Sequence, residues 1–164
     1  MAAPTWKVLI LAACLCVSVS LAHAQDRKPL AELKRIQVAI NITGPPDAAS
    51  TCGITDKLIR DAFMHPASSA KFSIVNDKLQ PAFLITVYVL HSPPGICATH
   101  VKSSLLYRGT VPLDFSGRTD VLPVLLWDLY RGGISGSNAH ADMVGKITED
   151  IARAFVTEWN LQNK

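Results

Sequence analysis

Hydrophobic positions along the chain change period several times, and each change predicts an element. In residues 35–42, RIQVAINI, the apolar side chains Ile36, Val38, Ile40 and Ile42 recur every second residue, which predicts a strand with one buried face. Gly44-Pro45-Pro46-Asp47 stops it. In residues 54–65 the period lengthens: Ile54, Leu58, Ile59, Ala62 and Phe63 form one stripe, and Asp56, Lys57, Arg60 and Asp61 the opposite side. That is an amphipathic helix, expected to end before Pro66.

Residues 71–76, KFSIVN, predict a short strand, and 82–91, AFLITVYVLH, a longer one. The longer strand is apolar on both sides. Leu84, Tyr88 and Leu90 share one face, and Phe83, Ile85, Val87 and Val89 the other, as expected for a central position in a sheet. After the turn Ser92-Pro93-Pro94-Gly95, residues 96–107 predict a strand that forms a hairpin with the preceding one. A second turn, DFSGRT, leads to a strand at 121–130, where Pro123 suits an edge. Residues 139–162 predict the last helix, with Val144, Ile147, Ile151, Ala154, Phe155 and Trp159 as its apolar stripe.

Strand, helix, three or four strands, helix predicts an α+β domain. Two helices pack on one face of a mainly antiparallel sheet of four or five strands, and the first strand–helix–strand passage can add a parallel pair. This order resembles that of small bacterial envelope domains, such as the amino-terminal domain of the Tol–Pal translocation protein and lipoproteins that assist lipopolysaccharide or lipid export. The likeness is one of architecture over most of the chain, with no shared motif, and implies a place and a size rather than an activity.

The first residues change the picture. Lys7 precedes an apolar run of about 15 residues that ends in Ala22-His23-Ala24, the pattern of a secretory signal peptide cut after Ala24. The run is short for a membrane span, which needs ~20 residues. Leu11-Ala12-Ala13-Cys14 also resembles a lipidation site, but cleavage there would leave the apolar residues 15–22 exposed. The expected exported chain therefore starts at Gln25. Residues 25–34 are its flexible lead-in and 35–164 its single domain, with no membrane-spanning segment.

Export gives the cysteines their meaning. Four in the full chain become two, Cys52 and Cys97, and an even pair in an oxidising compartment predicts a disulfide. Closing a loop of that size is worth up to ~4 kcal/mol through the entropy of the unfolded chain. The competing expectation is a free Cys52, made reactive by its place near a helix start.

Loss of Lys7 reduces the formal charge from +3 to +2. No basic cluster appears, so nucleic acid is not an expected partner. The histidines and cysteines lack the local spacings of a metal site, and no cofactor fingerprint is present. The glycine-rich stretch LYRGGISGSNAHADM, residues 129–143, invites a phosphate-loop assignment. It lacks the lysine of a Walker loop and the first spacing of a dinucleotide fingerprint. It is expected to be a connector, with Ser137 or Asn138 capping the last helix. The helix start at Gly136, Ser137 and Asn138 is left as a candidate anion site. His140 is expected in the first helical turn, exposed.

The segment has no G-x-S-x-G nucleophile turn. A small secreted hydrolase would have to use Cys52, with His100 and Asp56, or Ser135. An apolar-ligand carrier, or a protein that binds an envelope partner, would use an aromatic patch of Tyr88, Tyr107, Trp127 and Tyr130 on the sheet face away from the helices. The main expectation is an exported, non-catalytic periplasmic or secreted accessory or binding protein.

Overall fold

The computed structural model describes residues 28–164. The expected signal peptide, the expected cleavage after Ala24 and Cys14 lie outside the described residues. Among the described residues five strands and three helices follow one another as β1 (Arg35–Thr43), α1 (Ala48–Thr51), α2 (Asp56–Ala67), β2 (Ser73–Ile74), β3 (Ala82–Ser92), β4 (Ile96–Leu113), β5 (Arg118–Gly136) and α3 (Ser137–Gln162). The sheet runs β2-β1-β3-β4-β5. β1 is parallel to both β2 and β3, and the pairs β3–β4 and β4–β5 are antiparallel, so the sheet is mixed. The doubly apolar β3 lies in the middle, between β1 and β4.

One face of this sheet is the core. Phe83, Ile85, Val87 and Val89 of β3 and Cys97, Val101 and Leu105 of β4 are all fully buried beneath the helices. From α2 come Ile59 and Phe63, and from α3 Val144, Ile151 and Phe155. The rings of Phe63, Phe83 and Phe155 form its centre, with Phe83 4.6 Å from Phe63 and 4.7 Å from Phe155 between centroids. Such contacts add to the burial of apolar area that drives folding.

Local chemistry sets the helix ends. Thr55 caps α2, its Oγ1 accepting the N–H of Leu58 at 3.2 Å. The helix passes through Pro66 instead of stopping before it. A proline in the last turn removes a single N–H, and Ser68 closes that turn by donating to the Met64 carbonyl at 3.0 Å. The one-turn helix α1 is too short to carry a hydrophobic stripe; Cys52 follows it directly and is joined to Cys97 with Cα atoms 6.0 Å apart. The bond ties the β1–α2 connection to β4. It also corrects the expectation of a free, reactive Cys52: no thiolate is available there.

The lead-in is not loose from Lys28 onward. Leu30 is fully buried, and the backbone N–H of Leu30 and of Glu32 donate to the side-chain carbonyls of Gln162 and Asn163, each at 2.8 Å. Trp159 Nε1 donates to the Leu33 carbonyl at 2.9 Å. A polar lead-in sequence thus becomes a strap over the end of α3.

The glycine-rich stretch is not a loop. β5 runs through Gly132 and Gly133 to Gly136, in register with Ile96–Val101 of β4. Gly133 leaves the space that the end of the Met143 side chain of α3 fills: a Cβ there would lie 2.6 Å from its Sδ, and the methionine would have to move. The phosphate-loop idea fails on this geometry: those backbone groups belong to a ladder. Neither Ser137 nor Asn138 caps α3. Gly136 holds the cap position without a side-chain hydrogen bond, and the Ser137 N–H donates to the Gly95 carbonyl at 2.8 Å.

Candidate functional site: the uncovered sheet face

Because side chains alternate along a strand, the sheet presents a second face opposite the helices, and among the described residues no element covers it. Its rows follow from register. Leu90 lies beside Ala98 and Ile134; Tyr88 beside His100 and Gly132; Thr86 beside Lys102 and Tyr130; Leu84 beside Ser104 and Asp128. β1 extends the same rows with Thr43, Asn41 and Ala39. Tyr130 is 63% and Ile134 73% exposed, and Tyr88 and Leu90 are about half so, at 45% and 43%. Gly132 places no side chain beside His100, whose ring lies 5.8 Å from that of Tyr130. Lys102 and Asp128 are exposed, and among the described residues neither makes an ion pair.

The four aromatic residues expected to share this face divide. Tyr88 and Tyr130 are on it. Trp127 is not: it pairs with Leu105 on the helix side and lies 5.7 Å from Phe83 and 5.3 Å from Phe155. Tyr107 is also on the helix-side parity, beyond a bulge where Leu126 is the extra residue of β5. It belongs to the two-stranded ribbon in which β4 and β5 continue past the end of β3, tipped by the exposed Phe115. His100, Lys102, Asp128 and Ile134 complete the face. Period-two counting along β4 and β5 gives their parity, but only the register puts them side by side.

A second constellation lies under the start of α3. His140, expected exposed, is fully buried. Its Nε2 stands 2.5 Å from Thr99 Oγ1 and its Nδ1 2.9 Å from Ser135 Oγ. In a neutral imidazole one nitrogen donates and the other accepts, so the two hydroxyls take opposite roles. Burial pushes the His140 pKa below its ordinary value. The arrangement brings Ser135 to a base, as nucleophilic chemistry needs. It differs from a working triad in that Thr99 stands where a carboxylate would stabilise an imidazolium.

A seam between α2 and α3 holds a cleft of about 390 Å³ lined by Leu58, Asp61, His65, Asp142, Lys146 and Glu149 among others. Asp61 pairs with Lys57, and Glu149 with Arg153 and, at 3.3 Å, His65; among the described residues Asp142 and Lys146 make no ion pair. The Arg153 hydrogen bond, followed by that of His65, holds the Glu149 carboxyl below the usual range. Among the described residues no three His, Cys, Asp or Glu side chains gather as a metal site. None of their helices is long and apolar enough to cross a membrane.

No protein-family model matches the chain. No curated protein sequence matches it either. Among solved structures, a minor lipoprotein from Acinetobacter baumannii aligns with 80% of this chain and 93% of its own, at 8% identity and a TM-score of 0.39. A likeness at that level carries no argument about function.

Proposed function

We propose that the protein works after export, as a non-catalytic binding or accessory protein of the periplasm, envelope or extracellular space, and that the uncovered sheet face is its binding surface. The carrying observation is that face, where Tyr88, Leu90, Tyr130 and Ile134 stand exposed together. Contiguous exposed apolar area of this kind marks interaction sites. The Cys52–Cys97 disulfide supports an oxidising location. The test is photo-crosslinking in the producing organism, with a photoreactive residue at position 130 or 134 and, as control, at the exposed Asp61 of α2. Adducts from the sheet positions alone are expected. No adduct at either sheet position overturns the proposal.

One observation favours a second reading, hydrolysis at Ser135: the 2.9 Å approach of its hydroxyl to His140. In that reaction His140 would take the Ser135 proton during attack and return it to the leaving group. The full burial of His140 weighs against it, since a leaving group must reach the imidazole. A fluorophosphonate probe decides. Labelling lost in Ser135→Ala supports the hydrolase, and no labelling removes it.

A further inference from the structure

We infer that the occupant of the uncovered sheet face is a second copy of this chain, packed face to face to form a sandwich of two sheets. The inference rests on taking that face as the binding surface. Three observations on the face point to self-association.

The first is charge. Between Ile96 and Leu106 of β4 and the β5 residues opposite, the outward charged side chains are one cation, Lys102, and one anion, Asp128. Arg108, of the same parity, is the next outward charge and stands one row beyond, on the β4–β5 ribbon. Within these rows a balanced pair offers no excess charge to nucleic acid or an anionic lipid surface. It is complementary to itself, because a two-fold interface is isologous: if residue i meets j, then j meets i. Lys102 stands opposite Tyr130 and Asp128 opposite Ser104, one row further along. A two-fold axis passing between these rows brings each Lys102 to the Asp128 of the other copy. Two ions that lack partners in one chain then gain two ion pairs.

The second is the pattern around the charges. The same reversal lays the row of Tyr88 and His100 over that of Leu106 and Leu125. Aromatic rings then meet aliphatic side chains, and Tyr130 lies near the axis, where interface hot spots concentrate.

The third is area. Four strands spaced ~4.8 Å apart over roughly nine residues at ~3.4 Å give a flat footprint of about 600 Å². The accessible surface of side chains exceeds their projection, and a standard interface buries about 800 Å² per partner. Two sheets packed ~10 Å apart supply that contact. Edge-to-edge pairing through β5 is the less favoured route, since Pro123 and the charged Asp128 and Arg131 on that edge strand oppose it.

The test is sedimentation equilibrium of the disulfide-bonded chain, with melting curves to show that each variant folds. A dimer is expected. Lys102→Glu and Asp128→Lys each weaken it about tenfold, the double exchange restores it, and Tyr130→Asp, which would set a carboxylate against the Asp128 row of the other copy, weakens it without rescue. A monomer at every accessible concentration overturns the inference. So does a dimer whose Kd is unmoved by both charge reversals and by Tyr130→Asp. The broader binding proposal fails separately: adducts to a different protein from positions 130 or 134, with a monomer in solution, leave the binding face standing and remove only the second copy.

Discussion

The imidazole of His140 lies 2.5 Å from the hydroxyl of Thr99, forty-one residues away, with both side chains buried where α3 meets β4. A second hydroxyl, Ser135, holds the other nitrogen. The helix start that lacks a side-chain cap is thus fastened from inside, through its first turn.

This clasp predicts a pH dependence. The folded-state pKa of His140 is depressed by burial, so the unfolded chain binds the proton more readily. Stability contributed by neutral His140 is present above the unfolded value, about 6.5, and falls as pH drops below it. Denaturant melts between pH 8 and pH 5 should show a loss that is smaller in His140→Leu. That variant should also be less stable at pH 8 by about 1–3 kcal/mol, because two hydroxyls lose their partner.

The disulfide predicts a second loss. Reducing Cys52–Cys97, or replacing both with alanine, frees a loop with a sequence separation of 45 residues. Unfolding free energy should fall by up to ~4 kcal/mol, read as a lower midpoint in urea. Intact mass of non-reduced protein treated with a thiol reagent should show no adduct on either cysteine. A quantitative adduct on Cys52 would restore the reactive-cysteine hydrolase to consideration.

Gly133 predicts a packing effect with a definite sign. A methyl group there would enter the space of Met143 Sδ and Cε, at 2.6 and 2.8 Å. Gly133→Val should destabilise by about 1–3 kcal/mol, and Met143→Ala in the same chain should recover part of it by vacating the space. Gly117, in the β4–β5 turn with open space around it, lacks any such neighbour, so the pairing with Met143 is specific to Gly133.

Trp159 predicts an effect on the amino-terminal strap. Trp159→Phe keeps most of the ring but loses the bond from Nε1 to the Leu33 carbonyl. Hydrogen exchange should quicken at Leu30 and Glu32, whose N–H groups are held by Gln162 and Asn163. Global stability should fall by about 1 kcal/mol.

What the sequence determined by itself was local. Period-two runs and a 3.6-residue stripe identified β1, β3, β4, α2 and α3, because alternation and helical periodicity are properties of neighbouring residues. Period two also forbids Trp127 and Tyr130, three residues apart, from sharing a face of one regular strand, and the register puts only Tyr130 on the open face. Cys52 and Cys97 are joined as their even count beyond the apolar amino-terminal run predicts, since only one pairing is open to two cysteines. The tertiary structure decided everything that depends on distant neighbours. His140 is buried because Thr99 and Ser135 await it. The glycines are strand because β4 offers them a ladder, and the end of the Met143 side chain fills the space beside Gly133. The strap is ordered because α3 ends beside it. Exposure, partnership and backbone pairing at these positions are non-local quantities, fixed by side chains as far as 133 residues apart in the chain, as Leu30 and Asn163 are.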